Sequence, residues 1–190
     1  MTTLAPTIYT RTFPCASVWL RDIPLVILGA LFVAAFAQLR IPLPFTPVPL
    51  TGQTFAVLLV GAALGSVRGV ASMAFYIALG ALGLPVFAGG ASGLTYLSGP
   101  TLGYLIGFVI AAYVIGLLAE RGLERSVRTS LIPFLVGTII IYLCGVAWLA
   151  FLLGSLGEAI SAGLLPFLIG DAIKLIAASI ALPAAWKLVR

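Results

Sequence analysis

The sequence predicts an all-α integral membrane protein, a six-helix bundle with both termini in the cytoplasm. Three observations carry that prediction. Of the 190 residues, 62% are hydrophobic and only 8% are charged, whereas a soluble domain holds roughly half apolar and about 25% charged residues. Mean hydropathy is +1.24. Long stretches also lack any charge, which sets lipid rather than water against most of the surface. A soluble enzyme is excluded on these grounds. The chain has no histidine and only two cysteines, Cys15 and Cys144, far apart in sequence. His/Cys metal sites, a Ser-His-Asp triad and histidine proton relays are thereby ruled out, and nothing suggests a disulfide. No cofactor is implied.

Residues 1–22 read as a cytoplasmic N-terminal segment. The charge-free stretch between Asp22 and Arg40, rich in Leu, Val, Ala and Phe, gives a first helix at about 23–39, near the lower limit for crossing a bilayer. Arg21 and the triplet Ala35-Phe36-Ala37 mimic a secretory signal with its cleavage site. Cleavage would leave five helices and scramble the charge asymmetry described below, so the run is read as a retained span. Pro42, Pro44, Pro47 and Pro49 oppose a helical start, and the chain runs on as an extended loop to a second helix at 53–66. That helix is about 20 Å long against a hydrocarbon core of about 30 Å. From Gly69 to Ala119 no charge appears, but Gly83, Pro85, Gly89, Gly90, Gly93, Gly99 and Pro100 interrupt the run. Two helices, at about 69–82 and 101–119, with a buried-looking loop between them, fit this pattern. A fifth helix falls at 131–153 and a sixth at 164–188. No tandem repeat or domain boundary stands out, so residues 1–190 form a single membrane domain.

An even number of spans puts both termini on one side. With the N-terminus inside, Arg11, Arg21, Arg68, Arg121, Arg125, Arg128, Lys187 and Arg190 face the cytoplasm, Arg40 alone lies outside, and Lys174 falls within a span. The positive-inside rule therefore fixes the orientation. The net charge of +5 reflects anchoring to an anionic inner leaflet, not nucleic-acid binding.

Asp171 and Lys174, three residues apart in the sixth helix, share one helical face. Counted from Leu164, they lie about 10 and 15 Å deep, where each costs several kcal/mol without a partner or polar ligand. A self-neutralising pair that merely tolerates burial is one reading. The other, that the pair faces a cavity or substrate, is favoured because apolar residues would be cheaper there. The loop Gly83–Gly93, with its many glycines, either connects two helices or lets backbone N–H groups of Gly89 and Gly90 approach a ligand. Gln53 offers both donor and acceptors at a helix start. Phe45, Phe87, Tyr96, Tyr104 and Trp148 either wall an apolar ligand or populate the membrane interface. Ala30 and Ala34 form a small-xxx-small face for helix packing, either internal or against another subunit. No Gly-x-x-x-x-Gly-Lys-[Ser/Thr] loop occurs, so the chain does not itself cradle ATP.

Several blocks together resemble the BioY family of biotin transporters. They are Pro44-Phe45-Thr46-Pro47-Val48-Pro49-Leu50-Thr51-Gly52-Gln53-Thr54, Gly83-Leu84-Pro85-Val86-Phe87 with Gly89-Gly90, Gly99-Pro100-Thr101, Gly103-Tyr104-Leu105-Ile106-Gly107-Phe108, and Leu165-Pro166-Phe167 with Gly170-Asp171-Ala172-Ile173-Lys174. The resemblance spans nearly the whole chain. Leu102 departs from it, standing where the family's block usually has glycine. The resemblance implies a substrate-binding S component of an energy-coupling-factor (ECF) transporter in the bacterial cytoplasmic membrane, with biotin as the transported ligand. It implies as partners a transmembrane coupling subunit and two cytoplasmic ATPases, the coupling subunit docking on Ala30 and Ala34. Asp171 is then expected to accept the urea N–H bonds of biotin, with Lys174 orienting or neutralising it and Gln53 reaching the urea as well. Gly89, Gly90 and Tyr104 are expected to receive the tail carboxylate or close over the ring, with Phe45 as part of the wall. An ion-coupled or partner-independent carrier of biotin or another small vitamin is the alternative, and self-association is left open.

Overall fold

The computed structural model describes residues 3–12 and 18–189; Cys15 and Arg190, weighed above, lie outside the described residues. The chain is helical almost throughout. Its long helices are α2 (Val18–Ala37), α3 (Gln53–Leu64), α4 (Ser66–Ala81), α6 (Leu102–Glu120), α7 (Val127–Leu153) and α9 (Leu168–Val189), with α1 (Leu4–Thr12), α5 (Leu94–Leu97) and α8 (Leu156–Gly163) between or before them. Four segments, Leu20–Ala37, Leu102–Glu120, Val127–Leu153 and Leu156–Leu188, are long and apolar enough to cross a bilayer, while α3 and α4 are shorter apolar helices. Exposed Leu, Ile, Val and Phe residues cover the outside of these helices, as expected where lipid is the solvent.

The helix ends depart from the sequence reading in five places, each with a local cause. The N-terminal segment contains a helix, α1, which buries Leu4 and Pro6 against the bundle. α2 starts before Asp22 because that acid is paired within the helix end: its Oδ1 accepts from Arg21 Nε at 2.7 Å and Arg68 Nε at 2.8 Å. α3 and α4 are separated by Gly65 alone, at φ 85°. A side chain there would meet Glu120 Oε1 at 2.7 Å, and that same oxygen accepts from Ser66 N and Oγ at 2.7 and 2.8 Å. Glu120 of α6 thus caps the α4 N-terminus, where an anion is favoured by the free N–H groups and the helix dipole.

The fourth departure moves the acid of interest. The segment expected as one helix from 164 is preceded by α8 and broken at Leu164–Phe167, a short 3₁₀ turn containing Pro166. Proline carries no N–H and clashes with a preceding helical turn, so α9 begins only at Leu168. Asp171 therefore lies in the first turn of α9, not several turns down a continuous helix. α7 likewise starts at Val127, four residues ahead of the expected 131, because Ser126 Oγ caps Thr129 N at 3.3 Å.

The proline-rich stretch between α2 and α3 returns on itself as a small antiparallel ribbon, Arg40–Ile41 with Leu50–Thr51, in the register Arg40 to Thr51. Its turn is tied down by Thr46, whose Oγ1 donates to Ala162 O at 2.6 Å. The glycine-rich loop folds inward through Phe87, which is fully buried, stacks on Tyr96 with ring centroids 4.8 Å apart and meets Tyr76 edge-on at 5.5 Å. Gly80 makes the seat for that ring, since a Cβ there would fall 2.1 Å from Phe87 Cζ.

Candidate functional site

One end of the bundle holds a narrow cavity of about 50 Å³, lined by the ribbon, α3, α6, α7 and α9. Asp171 and Lys174 form part of its wall. One helical turn brings them together: Lys174 Nζ donates to Asp171 Oδ1 at 2.6 Å. The remaining ammonium bonds go to Thr51 O at 2.6 Å and Thr54 Oγ1 at 3.2 Å. An ammonium has three donors, so Lys174 is saturated. Asp171 Oδ1 also accepts from Thr54 Oγ1 at 3.0 Å, and Oδ2 from the Tyr142 hydroxyl at 2.5 Å. A carboxylate offers about four lone-pair sites, so Asp171 retains acceptor capacity toward the cavity. Its place in the first turn of α9 adds the favourable helix dipole to these contacts.

Gln53 is buried at 6% exposure and also lines the cavity. Its Oε1 accepts from Thr51 Oγ1 at 3.0 Å and its Nε2 donates to the Tyr76 hydroxyl at 2.7 Å. Tyr104 presents its ring to the cavity, while its hydroxyl donates to Gly163 O at 2.7 Å. The ring sits over Gly145, where a Cβ would fall 2.3 Å away. Tyr96, Phe108 and Phe167 complete an aromatic sleeve. The structure thus brings Asp171, Lys174, Gln53 and Tyr104 together around one space.

Other expected residues lie elsewhere. Phe45, at the tip of the turn, is 67% exposed and does not line the cavity. Gly89 and Gly90 are also outside it, although their neighbour Ala88 is not; the Gly90 N–H donates to Phe87 O at 3.0 Å. Trp148 donates to Gly99 O at 2.9 Å and packs against Phe151. Ala30 and Ala34, expected on a docking face, have exposures of 0% and 8%. α2 packs on α3 and α4, and both alanines are buried within the chain.

Tyr142, Thr51 and Thr54 escaped the sequence reading as functional groups. Thr51 and Thr54 flank Gln53 at the start of α3, where Ser and Thr ordinarily cap helices, and nothing in that position marks them as holding an ammonium. Tyr142 is one hydroxyl in an apolar run, and only the location of α9 shows what it touches. Chemically, the site pairs an acceptor-rich floor with an apolar aromatic wall. Such a site can accept hydrogen bonds from a largely apolar ligand. Nothing around Asp171 provides a nucleophile with its own base.

A biotin transporter BioY from Thermotoga maritima is 45% identical over 140 residues, covering 74% of this chain and 82% of that protein. A biotin transporter BioY from Rhizobium etli is 35% identical over 168 residues, covering 84% of this chain and 90% of that protein. Among solved structures, the crystal structure at 2.1 Å of the S-component for biotin from an ECF-type ABC transporter superposes with a TM-score of 0.80 at 30% identity, covering 89% of this chain and 92% of the other. The sequence model of the BioY family matches residues 7–190. A multi-pass bundle, a polar floor built from its last helix, and a family match running from α1 past α9 lead to one conclusion: the chain belongs to the BioY family.

Proposed function

We propose that this protein captures biotin and carries it across the cytoplasmic membrane as the S component of an ECF-type transporter. The observation that carries the reading is the Asp171–Lys174 pair, joined at 2.6 Å and held at a cavity wall by Thr51, Thr54 and Tyr142. Biotin combines a cyclic urea, with two N–H donors and a carbonyl, with an apolar body and a carboxylate tail. The remaining acceptor site of Asp171, on Oδ2, suits a urea N–H group, a charge-assisted contact worth roughly 1.5–3 kcal/mol. Gln53 stands close enough in the wall to address the urea carbonyl, and Tyr96, Tyr104, Phe108 and Phe167 suit the apolar body.

In this reading α2, α3, α4, α6, α7 and α9 all cross the membrane with both termini inside, and a coupling subunit with two ATPases supplies the energy. Docking through Ala30 and Ala34 would require α2 to part from α3 and α4. Purified protein should melt at a higher temperature with biotin, and a ligand at a thousandfold excess over its Kd adds about 4 kcal/mol. Dethiobiotin, lipoate and riboflavin serve as comparisons, and equal stabilisation by all four would refute biotin recognition. Isotope uptake with and without the coupling subunit and ATPases then tests the partnered mechanism.

A further inference from the structure

The cavity continues toward the surface of the bundle. Pro49, Ala88, Tyr96 and Thr101 line both the inner cavity and a second groove, whose outer wall is Arg40. The two spaces adjoin at that shared wall. Lys174, which lines the cavity and not the groove, cannot take a carboxylate without giving up one of its three acceptors, and Asp171 beside it repels one. A ligand with a neutral head on that floor and an anionic tail must send the tail outward.

Two groups along the way are uncommitted. Thr101 Oγ1 is buried without a hydrogen-bond partner, and a buried donor in that state calls for one. Arg40 has no acidic partner among the described residues. Its guanidinium lies along the loop in space that only glycine leaves open: a Cβ on Gly89 would fall 2.5 Å from Arg40 Nη1 and 2.9 Å from Cδ. The φ of 69° at Gly89 likewise favours glycine. Gly89 thus serves the groove by admitting Arg40. Pro47, Pro49 and Pro100 of the groove have no N–H to offer an anion; Thr95 and Tyr96 also line it with hydroxyls, and Arg40 is the one cation among its lining residues.

We propose that the Arg40 guanidinium and the Thr101 hydroxyl form a carboxylate subsite, which receives the acidic tail of a ligand whose neutral head rests on Asp171 and Lys174. The assignment rests on the biotin reading and names the group that reads its acid.

The test compares biotin with its uncharged primary amide by titration calorimetry on purified protein. The wild-type protein should prefer the acid by about tenfold or more, and the preference should shrink as salt screens the exposed guanidinium. Arg40→Gln should lower the affinity for the acid to that for the amide and leave the amide affinity unchanged. Arg40→Lys should keep part of the preference, and Thr101→Val should lose a smaller part. A full preference retained in Arg40→Gln overturns the assignment, as does an equal loss for both ligands, which would make Arg40 a shaping element of the mouth or a contact for lipid headgroups. An unchanged preference in Thr101→Val removes that hydroxyl from the subsite. If Arg40→Gln does not fold, the salt dependence and Thr101→Val decide. Wild-type protein that binds acid and amide equally overturns the subsite while biotin recognition stands; wild-type protein that binds neither overturns both.

Discussion

Two buried acids stand next to basic residues in this protein, and they are built in opposite ways. Asp171 meets Lys174 at 2.6 Å, and hydroxyls from α3 and α7 complete the arrangement. Glu124, at 0% exposure, has Arg125 Nε 3.7 Å away, beyond hydrogen-bond length, and neither carboxylate oxygen has a hydrogen-bond partner. Spacing accounts for much of the contrast. Residues three apart on a helix share a face, whereas adjacent residues diverge, and Arg125 instead stacks over the Trp186 ring at 4.9 Å. Adjacency alone does not decide pairing, since the neighbours Arg21 and Asp22 do meet at 2.7 Å. The acid that faces a cavity is supplied with partners from three helices; the acid that merely fills the α6–α7 turn is not.

The largest test of this contrast is Lys174→Met. Removing one partner leaves Asp171 buried and uncompensated, which should cost about 3–5 kcal/mol in thermal melts and abolish biotin binding. Adding Asp171→Asn should restore much of the stability without restoring binding, and a single variant that melts like wild type would show the pair to be dispensable. Asp171→Asn alone keeps the shape and removes the charge, so biotin affinity should fall by about ten- to a hundredfold. Tyr142→Phe removes the 2.5 Å bond to Asp171 and should weaken binding by roughly tenfold with little change in the far-ultraviolet spectrum; an unchanged Kd would detach Tyr142 from the site.

The smallest effect belongs to Glu124. Burial pushes its carboxyl above the usual carboxylate range, with Arg125 opposing the shift. A raised folded-state value means that stability is fully present below the ordinary carboxylate range and is lost as pH climbs through the raised value. Glu124→Gln should match wild type in mild acid, melt slightly higher at pH 8, and flatten the slope between. The chain has no histidine to mask that slope, and an identical slope in both proteins would place the carboxyl in a wetter setting.

Hydropathy made the membrane class legible, because lipid leaves its mark on every exposed position. The acid and base of the site were legible for the same reason: charges in an apolar run stand out. Breaks between helices were harder to read. Ser155 with Glu158 has the spacing of a capping box, and Ser155 does cap α8, accepting from Glu158 N at 3.4 Å. Pro166 marks the break that follows, yet apolar neighbours concealed both signals. Which side of α2 faces inward was not legible, since a helix apolar all round carries little directional information. Ala30 and Ala34 accordingly read as well for an outer face as for the inner one they occupy. The neutral groups of the site, Tyr142, Thr51 and Thr54, leave no trace in hydropathy and become visible only when α3, α7 and α9 are side by side.

The end of α8 has a consequence for how the pocket is reached. Its last two carbonyls are adjacent cleats: Ala162 O is grasped by Thr46 of the proline turn, and Gly163 O by Tyr104 of the aromatic wall. Exchanging both bonds for water costs only about 1 kcal/mol apiece. Unlatching the turn and freeing the tyrosine therefore asks for one frayed helical end, with the greasy packing of the long helices left undisturbed.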